Sequence, residues 1–308
     1  MRILITGGAG CLGSNLVEHW LPKNYEIIVI DNFATGKREV VPDGIAGLTV
    51  IEGSVVDSEF VDKVFTEHKP DIVVHSAAAY KDPDDWQEDA LTNVLGAINI
   101  AKASEQYDVK QVINFQTALC YGIPQKLPIP VEHPTNAFTS YGISKTAGEA
   151  FLLNSNAPVL SLRLANICSP RLSIGPIPTF YKRLKAGQSC FCSETIRDFI
   201  DISDFLQLMD MLIAKEGENG VYNVSTGEGK TIKDVFDCVS NYLNLSNIDV
   251  PILPPGDDDI PVVVLDPSKT MEVFSWQAKV SFQDMIEKQL AWYDKYGITD
   301  IFSHLKNK

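Results

Sequence analysis

The sequence predicts an α/β protein in which a doubly wound parallel sheet carries helices on both faces. Short apolar, β-branched segments alternate with longer amphipathic segments as far as about residue 164, and this alternation is typical of consecutive strand–helix units. A glycine-rich turn follows the first apolar segment, and an acidic residue closes the second. Because ligands of such sheets bind at the carboxyl ends of the strands, functional residues are expected in the turns that follow them.

Composition excludes several classes of protein. The 308 residues are 45% hydrophobic and 21% charged, which is ordinary for a globular protein, and the length favours two domains or one large domain with an insertion. The formal net charge of −14 argues against non-specific binding to nucleic acid or anionic membranes. Met1 and Arg2 lead directly into apolar residues, and no apolar segment reaches the roughly 18 residues of a membrane span, so we expect a cytoplasmic protein. The six cysteines are scattered, which favours reduced thiols and no metal site.

The first elements form a nucleotide-binding pattern. Arg2–Thr6 predicts a strand, and the amphipathic run from the glycine-rich turn to about Leu21 predicts a helix. Glycines at 7, 10 and 13 allow a tight turn, a close approach to a pyrophosphate and close packing of the helix on the sheet. Asp31 closes the strand Glu26–Ile30 and is placed to bind an adenosine ribose. This pattern predicts a Rossmann-type domain. It should prefer NAD over NADP, since the Asp31 carboxylate would repel the 2′-phosphate of NADP. Because Lys37 is a nearby positive charge, NADP remains an alternative.

The alternation continues through the following segments. The further predicted strands are Leu48–Glu52, Asp71–His75, Gln111–Phe115 and Val159–Leu164. The further predicted helices are Ser58–His68, Asp85–Gln106 and Ser140–Leu153. Asn93 is an unusual residue for a helix interior, and it predicts either an irregularity in the helix or a bound water near the site.

Tyr141 and Lys145 are candidate acid/base residues at the start of the last predicted helix. Residues four apart share one helix face. A positive charge ~4 Å from the phenol contributes roughly 4 kcal/mol at an effective dielectric of about 20, which predicts a tyrosine pKa about three units lower. The alternative is a surface tyrosine beside a surface lysine. Thr117, at the end of the fifth strand, could bond a substrate oxygen or could be a buried threonine.

The order of these segments resembles that of the extended short-chain dehydrogenase/reductases. More narrowly, the chain resembles the nucleotide-sugar epimerase/dehydratase group, and within it the branch that makes sugars for bacterial surface polysaccharides such as lipopolysaccharide. The resemblance covers essentially the whole chain. Its motifs are TGGAGCLG at 6–13, Asp31-Asn32, HSAA at 75–78, Thr117 with Tyr121-Gly122, and Tyr141-x-x-x-Lys145.

This resemblance implies roles for particular residues. It implies a catalytic triad of Thr117, Tyr141 and Lys145, in which Tyr141 accepts the proton. The positions predicted to bind NAD are Gly7, Gly10, Cys11, Leu12, Gly13, Asp31, Asn32, Lys37, Ser54, Val55, Ser76, Ala77, Ala78, Asn93, Tyr141 and Lys145. The positions predicted to bind a nucleotide-diphosphate sugar are Tyr80, Lys81, Thr117, Asn166 and Arg197.

The later part of the chain predicts a smaller C-terminal α/β domain for the nucleotide sugar. The predicted division assigns 1–165 and about 196–225 to the NAD-binding domain, and about 166–195 and 226–308 to the substrate domain. From Arg163 to Arg197 the sequence contains six basic residues and one acidic residue, Glu194. This local excess of positive charge suggests a surface patch that binds a diphosphate; the alternative is a basic surface helix. The resemblance also implies a homodimer in which helices around 90–106 and 140–154 form a four-helix bundle.

The residues beside Thr117 favour epimerisation at C4 through a 4-keto sugar. In the resembling family, 4,6-dehydratases carry Asp-Glu directly after the threonine, whereas this chain has Ala118 and Leu119, which cannot transfer protons. Fucose-synthase-type enzymes use a cysteine one place earlier than Cys120. The alternatives are a 4-ketoreductase, dehydrogenase or dehydratase on the same scaffold, and a catalytically silent NAD-sensing protein.

Two departures from the family pattern leave the nucleotide and the sugar open. Pro254-Pro255-Gly256-Asp257 stands where the family has Arg-x-Gly-Asp, so one expected phosphate ligand is missing. Gln116 stands where the family usually has a serine before the threonine.

Overall fold

The computed structural model describes residues 1–80, 82–215, 218–245, 248–256 and 259–298. The chain divides into two compact units. The first comprises Met1–Cys120, Thr135–Arg163 and Leu206–Tyr222, and the second Tyr121–Pro134, Leu164–Phe205 and the chain from Asn223. Within the described ranges, no helix has the length and apolar character needed to cross a bilayer.

As far as Leu164, the elements follow one another in the order that the alternation predicts. The strands are β1 Arg2–Thr6, β2 Glu26–Asp31, β3 Leu48–Glu52, β4 Ile72–His75, β5 Gln111–Thr117, β6 Val159–Leu164, β7 Asn166–Cys168, β8 Cys192–Ser193, β9 Ile196–Asp201, β10 Gly220–Val224, β11 Gly229–Thr231, β12 Ile252–Leu253 and β13 Val262–Val263. The α-helices are α1 Cys11–Trp20, α2 Ser58–His68, α3 Trp86–Asp89, α4 Gly96–Gln106, α5 Ser140–Leu153, α6 Pro176–Lys185, α7 Ile202–Ala214, α8 Ile232–Tyr242, α9 Ser268–Phe274 and α10 Phe282–Tyr296.

A seven-stranded sheet with the order β10-β6-β5-β4-β1-β2-β3 forms the centre of the first unit. The pairs β5–β4, β4–β1, β1–β2 and β2–β3 are parallel. The strand order changes direction at β1, which has β2 on one side and β4 on the other. In sheets of this kind the ligand binds at such a switch point, beyond the carboxyl ends of the strands. The predicted doubly wound Rossmann-type fold is confirmed.

Apolar strands covered on both faces build the core of this unit. Leu4, Val73 and Val112 lie on three neighbouring strands and are fully buried. They pack with Phe65 of α2 and Ile100 of α4 in one cluster. Strands buried on both faces read as continuous β-branched runs, which is why these segments could be predicted from the sequence.

The predicted helix over Asp85–Gln106 is interrupted. It consists of the short helix α3, a π-helical turn over Ala90–Leu95, and α4. Asn93 lies inside the π-helical turn, so the predicted irregularity at this residue is confirmed.

The second unit has its own sheet, in which β9 pairs with β7, β11 and β13. Phe180 of α6, Phe236 of α8 and Ile286 of α10 belong to its core. The predicted division assigns 121–134 and 196–205 to the NAD-binding domain, whereas both belong to the second unit. The reason is pairing: β9 lies within the second sheet, and Ile129 bridges to Leu265.

Candidate active site

The glycine-rich turn after β1 leaves no room for side chains. Gly7 has a φ of +66°, and a Cβ at this position would lie 2.8 Å from the backbone of Ala77. A Cβ at Gly13 would lie 2.4 Å from the carbonyl oxygen of Gly7. Gly10 is the N-cap of α1 and has no side chain that could accept hydrogen bonds from the first amides of the helix. This backbone cradle suits the pyrophosphate of a dinucleotide.

Asp31 lies at the carboxyl end of β2, next to this turn. One carboxylate oxygen accepts a hydrogen bond from the Ala9 amide and the other from the Phe33 amide, each at 2.8 Å. Burial raises the pKa of Asp31, and the two backbone hydrogen bonds oppose that rise. Each carboxylate oxygen keeps a second lone pair that a ribose hydroxyl can use.

The other predicted NAD positions lie near the carboxyl ends of strands or at the start of α1. Ser54 and Val55 follow β3, and the Val55 carbonyl accepts a hydrogen bond from Asn99 at 2.9 Å. The amide of Ala77, which lies after β4, donates to Thr6 Oγ1 at 3.2 Å. The remaining ones are Cys11 and Leu12 at the start of α1, Asn32 and Lys37 after β2, and Ser76 and Ala78 after β4.

Helix α5 carries the predicted acid/base pair. Thr139 caps this helix by accepting a hydrogen bond from the Gly142 amide at 3.1 Å. Tyr141 lies in the first turn and Lys145 one turn later. Lys145 is buried, with 5% of its surface exposed.

The pKa of Tyr141 does not shift in the predicted direction. Burial raises the pKa of Tyr141, and the nearby Tyr80 and Asp89 raise it further. Burial also lowers the pKa of Lys145 to about 8, against a smaller opposing effect of Glu149. The predicted direction of the Tyr141 pKa shift is therefore wrong, because helix spacing carries no information about burial.

Asn93 connects the π-helical turn to α5. Its side-chain amide donates to the carbonyl of Ala79 at 2.9 Å and to Ser144 Oγ at 3.0 Å. Its side-chain oxygen accepts from the Ala79 amide at 2.9 Å. Asn93 therefore holds the chain after β4 against the helix that carries Tyr141 and Lys145.

Thr117 lies at the carboxyl end of β5, and its hydroxyl accepts a hydrogen bond from the Leu119 amide at 3.2 Å. The preceding residue, Gln116, connects this strand end to α5. Its side-chain oxygen accepts from the Thr117 amide at 2.7 Å, and its Nε2 donates to the Lys145 carbonyl at 2.9 Å. Sequence reasoning missed this role, although the glutamine in place of the usual serine was a signal.

A buried ion pair lies one turn beyond Lys145. Arg163 Nη2 donates to Glu149 Oε2 at 2.8 Å, and Ser161 Oγ donates to Glu149 Oε1 at 2.6 Å. Arg163 thus belongs to the interior of the first unit, and its inclusion in a basic patch for a diphosphate is wrong. Glu149 was a second functional candidate that the sequence analysis missed; its position four residues after Lys145 could have indicated it.

The predicted substrate residues lie in different parts of the chain. Burial raises the pKa of Tyr80, which belongs to the first unit. In the second unit, Asn166 Nδ2 donates to the Asp198 carbonyl at 2.9 Å. Arg197 donates to the Ile260 carbonyl at 2.7 Å and pairs with Asp259 at 3.1 Å. Lys81, and Asp257 of the altered Arg-x-Gly-Asp segment, lie outside the described residues.

In the described part of the chain, no cluster of three or more His, Cys, Asp or Glu side chains could hold a metal ion. All six cysteines are free thiols.

Solved structures of similar proteins cover nearly the whole chain. The enzyme WbmG of Bordetella bronchiseptica in complex with NAD is 66% identical, with a TM-score of 0.94 over 99% of this chain and 98% of WbmG. Its complex with NAD and UDP matches at 65% identity, with a TM-score of 0.92 over 99% and 97% of the two chains.

Two further structures are more distant. WbmH of the same organism, in complex with NAD+, is 37% identical, with a TM-score of 0.91 over 96% of this chain and 99% of WbmH. UDP-glucose 4-epimerase of Thermotoga maritima with UDP-glucose is 28% identical, with a TM-score of 0.87 over 96% and 99% of the two chains.

Residues 3–225 match the profile of the NAD dependent epimerase/dehydratase family. The match includes the glycine-rich turn, Thr117 and the Tyr141–Lys145 helix. The protein therefore belongs to this family of extended short-chain dehydrogenase/reductases.

Proposed function

We propose that this NAD-dependent nucleotide-sugar epimerase acts at C4 of a UDP-sugar through a 4-keto intermediate. The observation that carries the proposal is the connection between β5 and α5. Tyr141 and Lys145 lie one turn apart on α5, and the Lys145 carbonyl is bonded to Gln116, next to Thr117. This connection supports one common site for the three residues at the carboxyl edge of the sheet.

The side chains have complementary roles in this proposal. Tyr141 takes the proton of the C4 hydroxyl, while Thr117 donates a hydrogen bond to the same oxygen. Because burial raises the pKa of Tyr141, the phenolate needs a nearby positive charge, which the Lys145 ammonium supplies. NAD, when bound on the glycine-rich turn and Asp31, supplies the acceptor and donor of the C4 hydride.

The surroundings of Thr117 favour epimerisation over the other reactions. Ala118 and Leu119 form the turn directly after Thr117 and have no ionisable groups. Cys120 is fully buried, and burial raises the pKa of its thiol to about 12, so it is a poor proton donor or acceptor at neutral pH. Because none of these three positions supplies a second acid or base, the keto sugar undergoes no further proton transfer there. It instead accepts the hydride back on its other face.

The WbmG complex with UDP and the Thermotoga maritima enzyme with UDP-glucose support a uridine nucleotide. We further propose that the product is a precursor of a surface polysaccharide, on the basis of the resemblance to that branch of the family.

The decisive experiment first releases and identifies the nucleotide bound to the purified protein. The protein is then incubated, without added cofactor, with a panel of UDP-, GDP-, CDP- and dTDP-sugars, and the products are followed by NMR. We expect NAD to be released and a UDP-sugar to interconvert with its C4 epimer. Turnover that consumes added NADH stoichiometrically would instead indicate a ketoreductase, and loss of water would indicate a dehydratase.

Tyr141→Phe tests the proton-transfer step. Loss of the phenol oxygen is expected to lower kcat by about 10²–10⁴-fold, which is typical for removal of a general base. Tyr107→Phe is the matched control, because Tyr107 bonds Asp62 at 2.8 Å at the end of α4 and lies outside the proposed site. Unchanged turnover by the Tyr141 variant would refute the mechanism.

A homodimer is part of the same proposal. Exposed apolar side chains on α3, the π-helical turn and α5 are suited to a partner surface. These residues are Trp86, Leu95, Ile143, Phe151 and Leu153.

A further inference from the structure

Gln116 is buried, with 2% of its surface exposed, and both polar atoms of its side chain bond backbone groups of the proposed site. Its oxygen accepts from the Thr117 amide at 2.7 Å, and its nitrogen donates to the Lys145 carbonyl at 2.9 Å. One side chain therefore joins the end of β5 to the middle of α5. Bonds from a buried amide to two backbone groups favour one geometry, because breaking either leaves a buried polar group unpaired.

The two backbone groups belong to residues with different roles. The Thr117 amide belongs to the residue whose hydroxyl is proposed to bind the substrate, and the Lys145 carbonyl belongs to the residue one helical turn after Tyr141. A change in the separation of β5 and α5 would move the hydroxyl relative to the phenol and the ammonium. Misplacement by about 1 Å can lower a rate by about 10²-fold.

We propose that Gln116 is a positioning residue that fixes Thr117 relative to Lys145. This inference rests on the proposed function, since it concerns residues of that site. Serine, the usual residue at this position in the family that the chain resembles, has one hydroxyl on Cβ. It is two bonds shorter than glutamine and cannot make both of these connections.

The same strand offers a matched control. Gln111 lies at the opposite end of β5 and is equally buried, with 1% of its surface exposed. Its Nε2 donates to the carbonyls of Pro158 at 3.2 Å and Glu218 at 2.9 Å. Gln111 thus makes the same kind of contact, from side-chain amide to backbone, but far from the proposed site along the strand.

The test compares Gln116→Met, Gln116→Ser and Gln111→Met with the wild-type protein. Methionine keeps the length of the side chain and removes both hydrogen bonds. The readouts are the melting temperature, retention of bound NAD, and kcat and KM for UDP-glucose or for the sugar of the panel that turns over. Both methionine variants are expected to lower the melting temperature to a similar extent. The Gln116 variants are expected to lower kcat by about 10–100-fold with KM changed less than about twofold, and the Gln111 variant to leave kcat within about twofold.

Three results would overturn the inference. The first is a kcat of Gln116→Met within twofold of wild type, and the second is an equal loss of kcat in Gln111→Met. The third is a fully active Gln116→Ser, which also decides the question if the methionine variant does not fold. Each of these can occur while the wild-type protein is an active epimerase. By contrast, a wild-type protein that converts no sugar of the panel, or a fully active Tyr141→Phe, would refute the proposed function itself.

Discussion

Lys145 keeps a positive charge in a place that disfavours it. Burial lowers its pKa to about 8 from the ordinary value of 10.5. For a buried group this shift corresponds to about 3 kcal/mol of lost stability while the ammonium is charged in the folded state. Glu149, one turn away, opposes part of the shift. The fold is thus less stable while Lys145 is charged, and the proposed mechanism uses this charge to stabilise the Tyr141 phenolate.

Replacing Lys145 with methionine is therefore expected to stabilise the fold and abolish turnover. At pH 7 the lysine is protonated in both the folded and the unfolded state, so the variant should be more stable by about 1–3 kcal/mol. Between about pH 8 and 10.5 the folded lysine loses its proton before the unfolded one does. The wild-type free energy of unfolding therefore rises in this window relative to that of the variant. Urea unfolding at pH 7 and pH 10 measures the difference.

Lys102→Met is the control, since Lys102 is an exposed lysine of α4. It should change the free energy of unfolding by less than about 0.5 kcal/mol at both pH values. A Lys145→Met variant that is less stable than wild type at pH 7 would contradict the argument.

At the residue scale, the sequence predicted where the candidate side chains lie along a helix better than it predicted their burial and their contacts. The spacing of Tyr141 and Lys145 correctly predicted one helix turn between them. The direction of the Tyr141 pKa shift was wrong, because it depends on burial and on Asp89, which is distant in sequence. The pairing of Arg163 with Glu149 was missed for the same reason: it joins a strand to a helix and leaves no local pattern.

At the scale of elements, β1, β2, β4 and β5 could be predicted well because they are largely buried on both faces and read as short apolar runs. The ends of β1 and β3 agree with the prediction, whereas β5 continues two residues further, to Thr117. The helix over 85–106 was predicted as continuous, with an irregularity at Asn93 as one possibility. The shape of that irregularity, a π-helical turn, depends on tertiary contacts with Ala79 and Ser144.

The packing of α5 against this π-helical turn depends on Gly148. A Cβ at this position would lie 2.2 Å from the Asn93 carbonyl oxygen and 3.1 Å from the Ala97 side chain. Helix propensity alone predicts that Gly148→Ala stabilises the protein by about 1 kcal/mol. Because the Cβ meets backbone, we expect a net destabilisation of about 1–3 kcal/mol instead. Thermal unfolding should show a lower melting temperature, together with reduced turnover as α5 moves away from Asn93.

Gly256→Ala is the control for this prediction, since no described atom lies within 4 Å of a Cβ built there. Its melting temperature should stay within about 1 °C of wild type. An increase in stability for Gly148→Ala would show that helix propensity outweighs the close contact.

At the scale of the whole molecule, three of the six basic residues between 163 and 197 form ion pairs within the units. Arg163 pairs with Glu149 in the first unit, while Lys185 pairs with Asp294 and Arg197 with Asp259 in the second. For these three residues, the local excess of positive charge along the chain therefore did not predict unpaired cations. For Arg197 to bind a diphosphate, the phosphate oxygens would have to compete with Asp259.

The proposed homodimer gives the last prediction. Phe151 of α5 is 50% exposed, and Phe191, in the second unit, is 54% exposed. The two phenylalanines are matched in exposure, but Phe151 alone lies on a helix of the implied four-helix bundle. A buried glutamate in an apolar interface costs several kcal/mol, so Phe151→Glu should dissociate the dimer and Phe191→Glu should not. Size-exclusion chromatography with light scattering distinguishes these outcomes. A dimeric Phe151→Glu, or a monomeric Phe191→Glu, would place the interface elsewhere.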